Sequence, residues 1–166
     1  MKIYYLGSER LSLSVIEQII EKQQTISLSE FAIQRIERCR AYLDHKMLDN
    51  EAAIYGINTG FGSLQNVKIS DQNLTELQYN LLLSHACGTG QEVPKAIVKL
   101  MLLLKIQSLS YGHSAVALST VQRLVDFYNH DILPVIYTQG SLGASGDLAP
   151  LAHLALPLIG EGEVWY

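Results

Sequence analysis

The chain has 166 residues, a net charge of −4, and 48% hydrophobic against 17% charged residues. This length fits one ordinary domain, and an acidic balance without a basic stripe argues against a nucleic-acid partner. The longest apolar stretch, residues 96–104, contains Lys99 and falls well short of the about 20 residues that a membrane-spanning helix needs, so no membrane partner is expected. So few charges fit either a well-packed core or apolar faces that other polypeptide covers, and we expect the second.

The cysteines and histidines have no metal-binding or redox spacing, so no metal is expected. Cys39 and Cys87 lie far apart, and the first eight residues do not form a secretion signal, which together predict a reducing, cytoplasmic compartment. Four histidines are assigned from their surroundings alone: His45 and His130 are expected to be exposed, and His113 and His153 to lie within helices.

Helical periodicity begins early in the chain. Apolar residues at 15, 16, 19 and 20 mark a short first helix. Ser27-Leu28-Ser29-Glu30 matches a capping box, which would open a second helix with its apolar side at Ala32, Ile36, Cys39, Leu43 and Met47. Along the same helix Arg35, Arg38 and Arg40 alternate with Glu37, which predicts a solvated face.

Residues 50–70 lack this period and contain three glycines, which predicts a loop with at most short strands. Asp71 is a candidate N-cap for a third helix that Gly88 would end, and Pro94 suits the first position of an apolar fourth helix. A helix over 114–128, an extended segment over 131–137 and a last helix to about Leu158 follow. The chain stops on apolar and aromatic residues, whereas natural termini are usually polar, so an interrupted sequence is expected.

The glycine-rich segment 139–146 precedes the last helix, which is expected to begin near Gly146. Taken alone, Gly143-Ala144-Ser145-Gly146-Asp147 allows three interpretations. A lipase-type serine nucleophile requires Gly-x-Ser-x-Gly, which has a different spacing, and a phosphate loop requires a Gly-Lys-Ser/Thr that does not follow. The third is a tight turn that caps a helix, whose first amides would lie at the positive helix end.

Three blocks of sequence together are more specific than this run. They are Tyr55-Gly56-Ile57-Asn58-Thr59-Gly60-Phe61-Gly62, residues 80–90, and Gly140-Ser141-Leu142-Gly143-Ala144-Ser145-Gly146-Asp147-Leu148-Ala149-Pro150-Leu151-Ala152-His153. In order and approximate spacing they resemble the aromatic amino acid ammonia-lyases, and the resemblance begins at about Ile3. One departure is Ala115, where relatives commonly carry glycine and where a methyl group is expected to tighten helix packing.

The resemblance implies a mainly α fold of the ammonia-lyase (fumarase/aspartase-like) type. Residues 1–166 would be the amino-terminal helical part of one such domain, with a Gly-rich loop region, truncated after the segment that forms the electrophile. Members of the family assemble as homotetramers whose active sites combine residues from several subunits. That assembly would account for the excess of apolar residues.

The resemblance also implies a self-made electrophile. In this family the tripeptide at Ala144, Ser145 and Gly146 cyclises with loss of two waters to 4-methylidene-imidazol-5-one (MIO), so no external cofactor is needed. A β-carbon at Gly146 would obstruct the attack of its nitrogen on the Ala144 carbonyl. Asp147 resembles the residue that assists this maturation. Tyr55 resembles the residue of a mobile inner loop that transfers a proton or orients the substrate.

His85 resembles the residue that contacts the substrate side chain. This position is typically apolar in members that prefer phenylalanine, so an imidazole implies a substrate ring with hydrogen-bonding atoms, histidine ahead of tyrosine. The expected activity is a carbon–nitrogen lyase that converts L-histidine to urocanate and ammonia, with tyrosine ammonia-lyase as the alternative. Without the family match, a histidine near a helix end is more often a C-terminal cap.

An amino acid substrate also needs a cation for its carboxylate, and no Arg lies between Ala41 and Gln122. The family carries its carboxylate-binding Arg, and another catalytic Tyr, at positions beyond residue 166. The 166-residue chain by itself is therefore expected to be inactive. A catalytically incomplete fragment that acts only as an assembly module is the second alternative.

Overall fold

The computed structural model describes residues 3–48, 53–144 and 146–166, and these confirm the prediction of a mainly α protein. In chain order the elements are β1 (Ile3–Leu6), α1 (Leu13–Glu21), β2 (Thr25–Leu28), α2 (Glu30–Leu48), α3 (Leu74–His85), β3 (Thr89–Glu92), α4 (Lys95–Ser110), α5 (Leu118–Asn129), β4 (Leu133–Pro134), β5 (Tyr137–Gln139), α6 (Ala149–Ala155) and β6 (Val164–Trp165). Short 3-10 turns lie at Gly62–Leu64, Asp71–Asn73 and Leu156–Ile159.

The chain divides into two compact units. The first unit comprises Met1–Leu48, Pro94–Leu133 and Trp165–Tyr166, and the second comprises Asp49–Val93 and Pro134–Val164. The first unit contains α1, α2, α4 and α5, whereas α3 and α6 lie in the second. The first unit is therefore built from three segments of the chain and the second from two.

A pair of parallel strands begins the first unit, and the helical periodicity did not predict it. β1 pairs with β2 in register from Ile3 opposite Thr25 to Leu6 opposite Leu28. The side chain of Asn129, at the end of α5, bonds both backbone groups of Ile26 at 2.9 Å. This amide thereby satisfies the free edge of β2, which otherwise would leave a donor and an acceptor unpaired.

The start of α2 differs from the predicted capping box. β2 runs to Leu28, so Ser27 belongs to the strand and is not the N-cap. Instead Ser29 is the capping residue, because its hydroxyl oxygen accepts a hydrogen bond from the amide of Ala32 at 3.1 Å. The expected inward side of α2 is confirmed at Ala32 and Ile36, which are buried.

Arg35 corrects the prediction of a solvated arginine face on α2. Its guanidinium donates a hydrogen bond to the carbonyl of Gly7, just after β1, and lies 4.3 Å from the ring centroid of Phe31. Arg38 and Arg40 are exposed, and Arg40 forms an ion pair with Asp44. Two of the three arginines therefore fit the prediction, while Arg35 fastens α2 to the end of β1.

The segment before α5 was predicted as helix from residue 114, but α5 begins only at Leu118. His113 consequently lies in an exposed loop, so its expected place within a helix is wrong. Ala115 lies in the same loop with a left-handed backbone, φ +50°. The expectation that its methyl group tightens helix packing is therefore also wrong. The predicted exposure of His45 and His130 is confirmed.

The apolar helix α4 starts one residue later than predicted, because Pro94 is its N-cap and not its first residue. Its inner side is fully buried at Val98, Leu102, Leu103 and Ile106. Ile97 and Leu104, in contrast, are 49% and 45% exposed. One side of α4 is thus buried and the other is partly exposed, although its sequence is apolar nearly all round.

In the second unit, α3 packs on α6 and an antiparallel pair joins β3 to β5. A 3-10 turn at Asp71–Asn73 precedes α3, so the helix begins later than the predicted N-cap Asp71 would allow. It ends at His85, before the predicted Gly88. The loop predicted over 50–70 is confirmed for residues 53–70, which hold one isolated bridge between Thr59 and Lys68.

None of the helices in the described part of the chain combines the length and the hydropathy of a membrane span.

Candidate active site

The tripeptide segment lies in a tight turn of the second unit. Gly143 and Gly146 form an isolated antiparallel bridge, in which the amide of Gly146 donates to the carbonyl of Gly143 at 3.1 Å. Gly146 has φ +99°, a region that residues with a β-carbon rarely adopt. Ala144 lies within this turn, and the predicted site residue Ser145 lies outside the described residues.

Asp147 closes the turn through one carboxylate oxygen. That oxygen, Oδ1, accepts hydrogen bonds from the amide of Ser141 at 2.8 Å, the hydroxyl of Ser141 at 3.0 Å and the amide of Ala149 at 3.0 Å. The amide of Ser141 is the largest cause that lowers the pKa of Asp147. Burial opposes it, and the amide of Ala149 and the Ser141 hydroxyl lower the pKa further. Asp147 is therefore a carboxylate at neutral pH.

Gly140 and Ser141 both lie against this carboxylate. A β-carbon at Gly140 would overlap it, so the absence of a side chain there permits the close approach. The hydroxyl of Ser141 also accepts a hydrogen bond from the amide of Leu148 at 3.3 Å. The expected helix start near Gly146 is wrong, because α6 begins at Ala149, after Asp147 and Leu148 have made this connection.

His85 ends α3 and has one ring nitrogen committed to its own helix. Nδ1 lies 2.7 Å from the carbonyl of Leu81 and 3.1 Å from the hydroxyl of Ser84. Since a carbonyl can only accept, Nδ1 carries the proton in this arrangement. In the neutral ring Nε2 is then an acceptor. His85 thus makes the C-terminal capping contact and keeps a second polar atom.

A mostly apolar pocket of about 220 Å³ adjoins the glycine-rich segment. It lies in the second unit and is lined by residues of α3, α6 and the 53–70 loop: Phe61, Gln78, Leu81, Leu82, His85, Leu148, Leu151 and Ala152. Only Gln78 and His85 bring polar side-chain atoms to this lining. Because Leu148 directly follows Asp147, the pocket is next to the turn that contains Ala144 and Gly146 in the chain.

Aromatic contacts connect the loop of Tyr55 to this pocket. The Tyr55 and Phe61 ring centroids are 5.7 Å apart, and those of Phe61 and His85 are 5.3 Å apart with nearly perpendicular planes. The Gln78 side chain donates to the carbonyl of Ile57 at 3.1 Å. Tyr55 itself is 60% exposed. The structure therefore brings Tyr55 near His85 through Phe61 and leaves its ring largely uncovered.

His153 supports the chain just after His85. It lies in α6, as predicted, and its Nε2 accepts a hydrogen bond from the amide of Gly88 at 2.9 Å. Its ring meets that of Tyr137 edge-on at 5.3 Å between centroids. Burial lowers the pKa of His153, which agrees with an unprotonated Nε2 that acts as an acceptor.

Phe61 and Gln78 belong to the pocket although neither was predicted as a site residue. Gln78, Leu81, Leu82 and His85 follow the i, i+3, i+4, i+7 spacing of one helix face, which is a pattern that the sequence displays. Phe61 stands inside the Tyr55 block, but its contact with His85 depends on how the loop folds. Within the described part of the chain, no group of three or more His, Cys, Asp or Glu residues could hold a metal ion.

Comparison with known proteins defines the class to which this arrangement belongs. The sequence profile described as "Aromatic amino acid lyase" matches residues 11–166. The chain belongs to the aromatic amino acid lyase family, and its fold is that of the ammonia-lyases and aminomutases.

Individual relatives are similar to this chain over nearly its whole length. The chain is 50% identical over 161 residues to a protein named histidine ammonia-lyase from Legionella pneumophila (strain Paris), covering 97% of this chain and 32% of that protein. The crystal structure of histidine ammonia-lyase from Trypanosoma cruzi superposes with a TM-score of 0.84 at 36% identity, covering 98% of this chain and 30% of that one. Tyrosine aminomutase from Streptomyces globisporus has a TM-score of 0.88 at 30% identity, covering 99% and 31% of the two chains.

The matched region is a limited part of these relatives. The chain spans about a third of the length of the curated relatives that it matches, 32% in the case of the Legionella protein.

Proposed function

We propose that the protein to which this chain belongs is a cytoplasmic histidine ammonia-lyase that converts L-histidine to urocanate and ammonia. The observation that carries the proposal is the turn closed by Asp147, next to a pocket that His85 lines, in a member of this family. Tyrosine ammonia-lyase, the alternative, would use the same turn with a different ring in the pocket.

The electrophile of the proposed reaction is MIO, formed from Ala144, Ser145 and Gly146. Two features suit its formation: the Gly143–Gly146 bridge brings the ends of the turn together, and a side chain on Gly146 would conflict with its φ of +99°. When formed, the group supplies an electrophile for the substrate amine, which makes the amine a better leaving group. The proposed role of Asp147 is to hold the turn during this maturation.

The pocket residues have complementary roles in the proposal. The apolar side chains of Phe61, Leu81 and Leu148 keep water from the substrate ring. His85 Nε2 accepts a hydrogen bond from an N–H of that ring, because Nδ1 is already committed to Leu81. Tyr55, on its exposed loop, takes up a proton or orients the substrate once the loop closes over the pocket.

The substrate carboxylate needs a partner outside the second unit, in which Lys68 is the only lysine or arginine. We propose that this cation comes from the remainder of the protein and that the active protein is a homotetramer with shared sites. An assembly would also cover the apolar side chains that this chain exposes, such as Leu142 and Leu151.

The chemical step is tested by Ser145→Ala in the protein expressed from the whole reading frame that contains these residues. The change removes the hydroxyl whose loss creates the electrophilic carbon. Turnover of histidine should fall at least about 10³-fold, the scale on which removal of a covalent catalytic group acts. The ultraviolet absorbance of MIO should disappear with it. Normal turnover by this variant would refute the proposed mechanism.

The substrate is tested by comparing His85→Asn with His85→Phe. An Asn amide can replace Nδ1 as the donor to Leu81 but removes Nε2, whereas Phe removes both nitrogens. If Nε2 recognises the substrate ring, both variants should lose kcat/KM for histidine, by up to about 10⁴–10⁵-fold. The kcat/KM for phenylalanine should fall little or rise.

The capping contact alone predicts a different result. His85→Asn would then resemble the unchanged protein, and His85→Phe would lower stability by about 0.5–2 kcal/mol and reduce kcat/KM for all substrates alike. The measurement is kcat/KM for histidine, tyrosine and phenylalanine on the three proteins. A higher value for tyrosine than for histidine in the unchanged protein would move the assignment to tyrosine ammonia-lyase.

A further inference from the structure

The connection between Ser141 and Asp147 encloses the tripeptide. Ser141 lies before Ala144 and Asp147 lies after Gly146, and two hydrogen bonds run from Ser141 to the same carboxylate oxygen. These bonds join two residues that are six positions apart, so the chain between them forms a small closed loop. Closing a loop reduces the backbone freedom of the residues inside it, and it does so before any covalent bond forms.

Ser141 also reaches the far side of the turn. Its hydroxyl donates to Asp147 and accepts from the amide of Leu148, so one side chain connects to two consecutive residues after the tripeptide. The backbone amide of Ser141 would still bind Asp147 without the hydroxyl, but the link to Leu148 would be lost. The hydroxyl is thus a distinct and separable part of the connection.

The carboxylate is held in its charged form by these donors. The amide of Ser141 is the largest cause of the lowered pKa of Asp147. Hydrogen bonds to an ionised acceptor are stronger than those between neutral groups. Asp147 is therefore a fixed anchor for the loop at neutral pH and not a source of protons there.

We propose that Ser141 is a positioning residue for the maturation of the tripeptide, in which its hydroxyl holds the loop closed for cyclisation. This role rests on the proposed function. In the reaction, a bond forms between the nitrogen of Gly146 and the carbonyl carbon of Ala144. The Ala144 oxygen leaves as water with the amide hydrogens of Gly146 and Ser145. The Ser145 hydroxyl leaves as a second water with the hydrogen on its α-carbon.

The loop must be compressed further for that bond to form. The geometry favours Ser141 for this role because its hydroxyl already holds the two sides of the loop together. In the structure the Gly146 amide donates to the Gly143 carbonyl at 3.1 Å. The carbonyl that it must attack, that of Ala144, belongs to the next residue. Holding reacting groups close converts an improbable approach into a frequent one. Ser141 acts before catalysis, so it should affect how fast the ring forms but not the activity of each ring once formed.

The experiment compares Ser141→Ala, Ser141→Thr and Ser8→Ala in the protein expressed from the whole reading frame. Thr keeps the hydroxyl. Ser8 is the matched control, since its exposed hydroxyl bonds a nearby carbonyl, that of Tyr5, in the first unit. The readout is the fraction of the peptide containing residues 140–148 that has lost the mass of two waters, followed in time after a pulse of synthesis. Turnover per mole of ring and the unfolding midpoint are measured on the same samples.

Ser141→Ala should form the ring about 10- to 100-fold more slowly, the range that corresponds to loss of one hydrogen bond to a charged group. Ser141→Thr should restore most of the rate, Ser8→Ala should match the unchanged protein, and turnover per ring should be equal in all. An unchanged rate in Ser141→Ala would overturn the inference. So would a slow Ser141→Thr that unfolds at the same midpoint as the unchanged protein. If the unchanged protein itself never loses two waters, the proposed function fails.

Discussion

Ala115 takes a left-handed backbone conformation, φ +50°, in the loop before α5. A β-carbon makes that conformation unfavourable by roughly 1–2 kcal/mol, whereas glycine adopts it freely. This accounts for the glycine that the family resemblance leads us to expect at this position. The chain therefore carries a local strain at Ala115 that a glycine would avoid.

Ala115→Gly should raise the free energy of unfolding by about 0.5–1 kcal/mol, because relief of the strain exceeds the added entropy of the unfolded chain. Ala41→Gly is the matched control: the same atoms are removed from an exposed position inside α2, where stability should fall by about 1 kcal/mol. Both are measured by urea unfolding. Loss of stability in both variants would show that Ala115 is not strained.

The residue predictions that failed depended on where a neighbouring element ends. Ser27 matched the capping-box pattern, but β2 continues through it, so Ser29 became the cap. Arg35 matched a solvated face, but its acceptor is the carbonyl of Gly7, 28 residues earlier. Neither outcome can be derived from the local pattern, because each depends on pairing with a distant part of the chain.

At the scale of elements, the helices were predictable because burial follows their 3.6-residue period, as at Ala32 and Ile36 in α2. The strands were not. β1 and β2 have four residues each, and their parallel pairing joins Ile3 to Thr25 across the whole of α1. Such short segments have too few residues to display alternation, and their partner is not adjacent in sequence.

Part of the candidate site was likewise predictable from the sequence and part was not. The motif blocks marked the turn at residues 143–147 and the end of α3, and both lie in the second unit. The pocket formed by α3, α6 and the loop around Phe61 requires helix packing, which no single block encodes. The hydrogen bonds of Ser141 likewise became visible only with the turn folded.

The contact between α6 and the segment after α3 should make stability depend on pH. Below the ordinary histidine pKa of 6.5, the unfolded chain takes up a proton at His153 that the folded protein resists, since Nε2 accepts from the Gly88 amide. The free energy of unfolding should therefore fall as the pH falls from 6.5 to the lowered pKa of the folded state, and this contribution should level off below it.

Unfolding in urea between about pH 7.5 and pH 5 measures this dependence. His153→Gln is the test variant, because a Gln carbonyl can accept from Gly88 but does not titrate in this range. Its stability should fall less with decreasing pH than that of the unchanged chain. His130→Gln, at an exposed histidine, is the control and should keep the original slope. Equal slopes in all three proteins would remove His153 as the cause.

Across the whole molecule, the charges are divided unequally between the two units. Lys68 is the only lysine or arginine in residues 49–93 and 134–164, which contain eight Asp and Glu residues. The remaining residues hold more basic than acidic side chains. A negatively charged unit repels the carboxylate of the proposed amino acid substrate, so the pocket alone would bind it poorly. This charge balance agrees with the proposal that residues outside this unit supply the opposite charge.

The 166 residues expressed by themselves should not form the ring. The turn is uncovered here, since Leu142 is fully exposed. The Gly146 amide is brought close by its bond to Gly143 but has not reached the next carbonyl, that of Ala144, which it must attack. The Ser141–Asp147 connection closes the loop but leaves that bond in place. We therefore expect mass spectrometry to find the peptide with residues 140–148 unmodified and histidine turnover to be absent. The protein from the whole reading frame should show the loss of two waters in the same peptide. A dehydrated peptide in the 166-residue chain would instead show that these local hydrogen bonds are sufficient for maturation, and that the rest of the protein is needed only to bind the substrate.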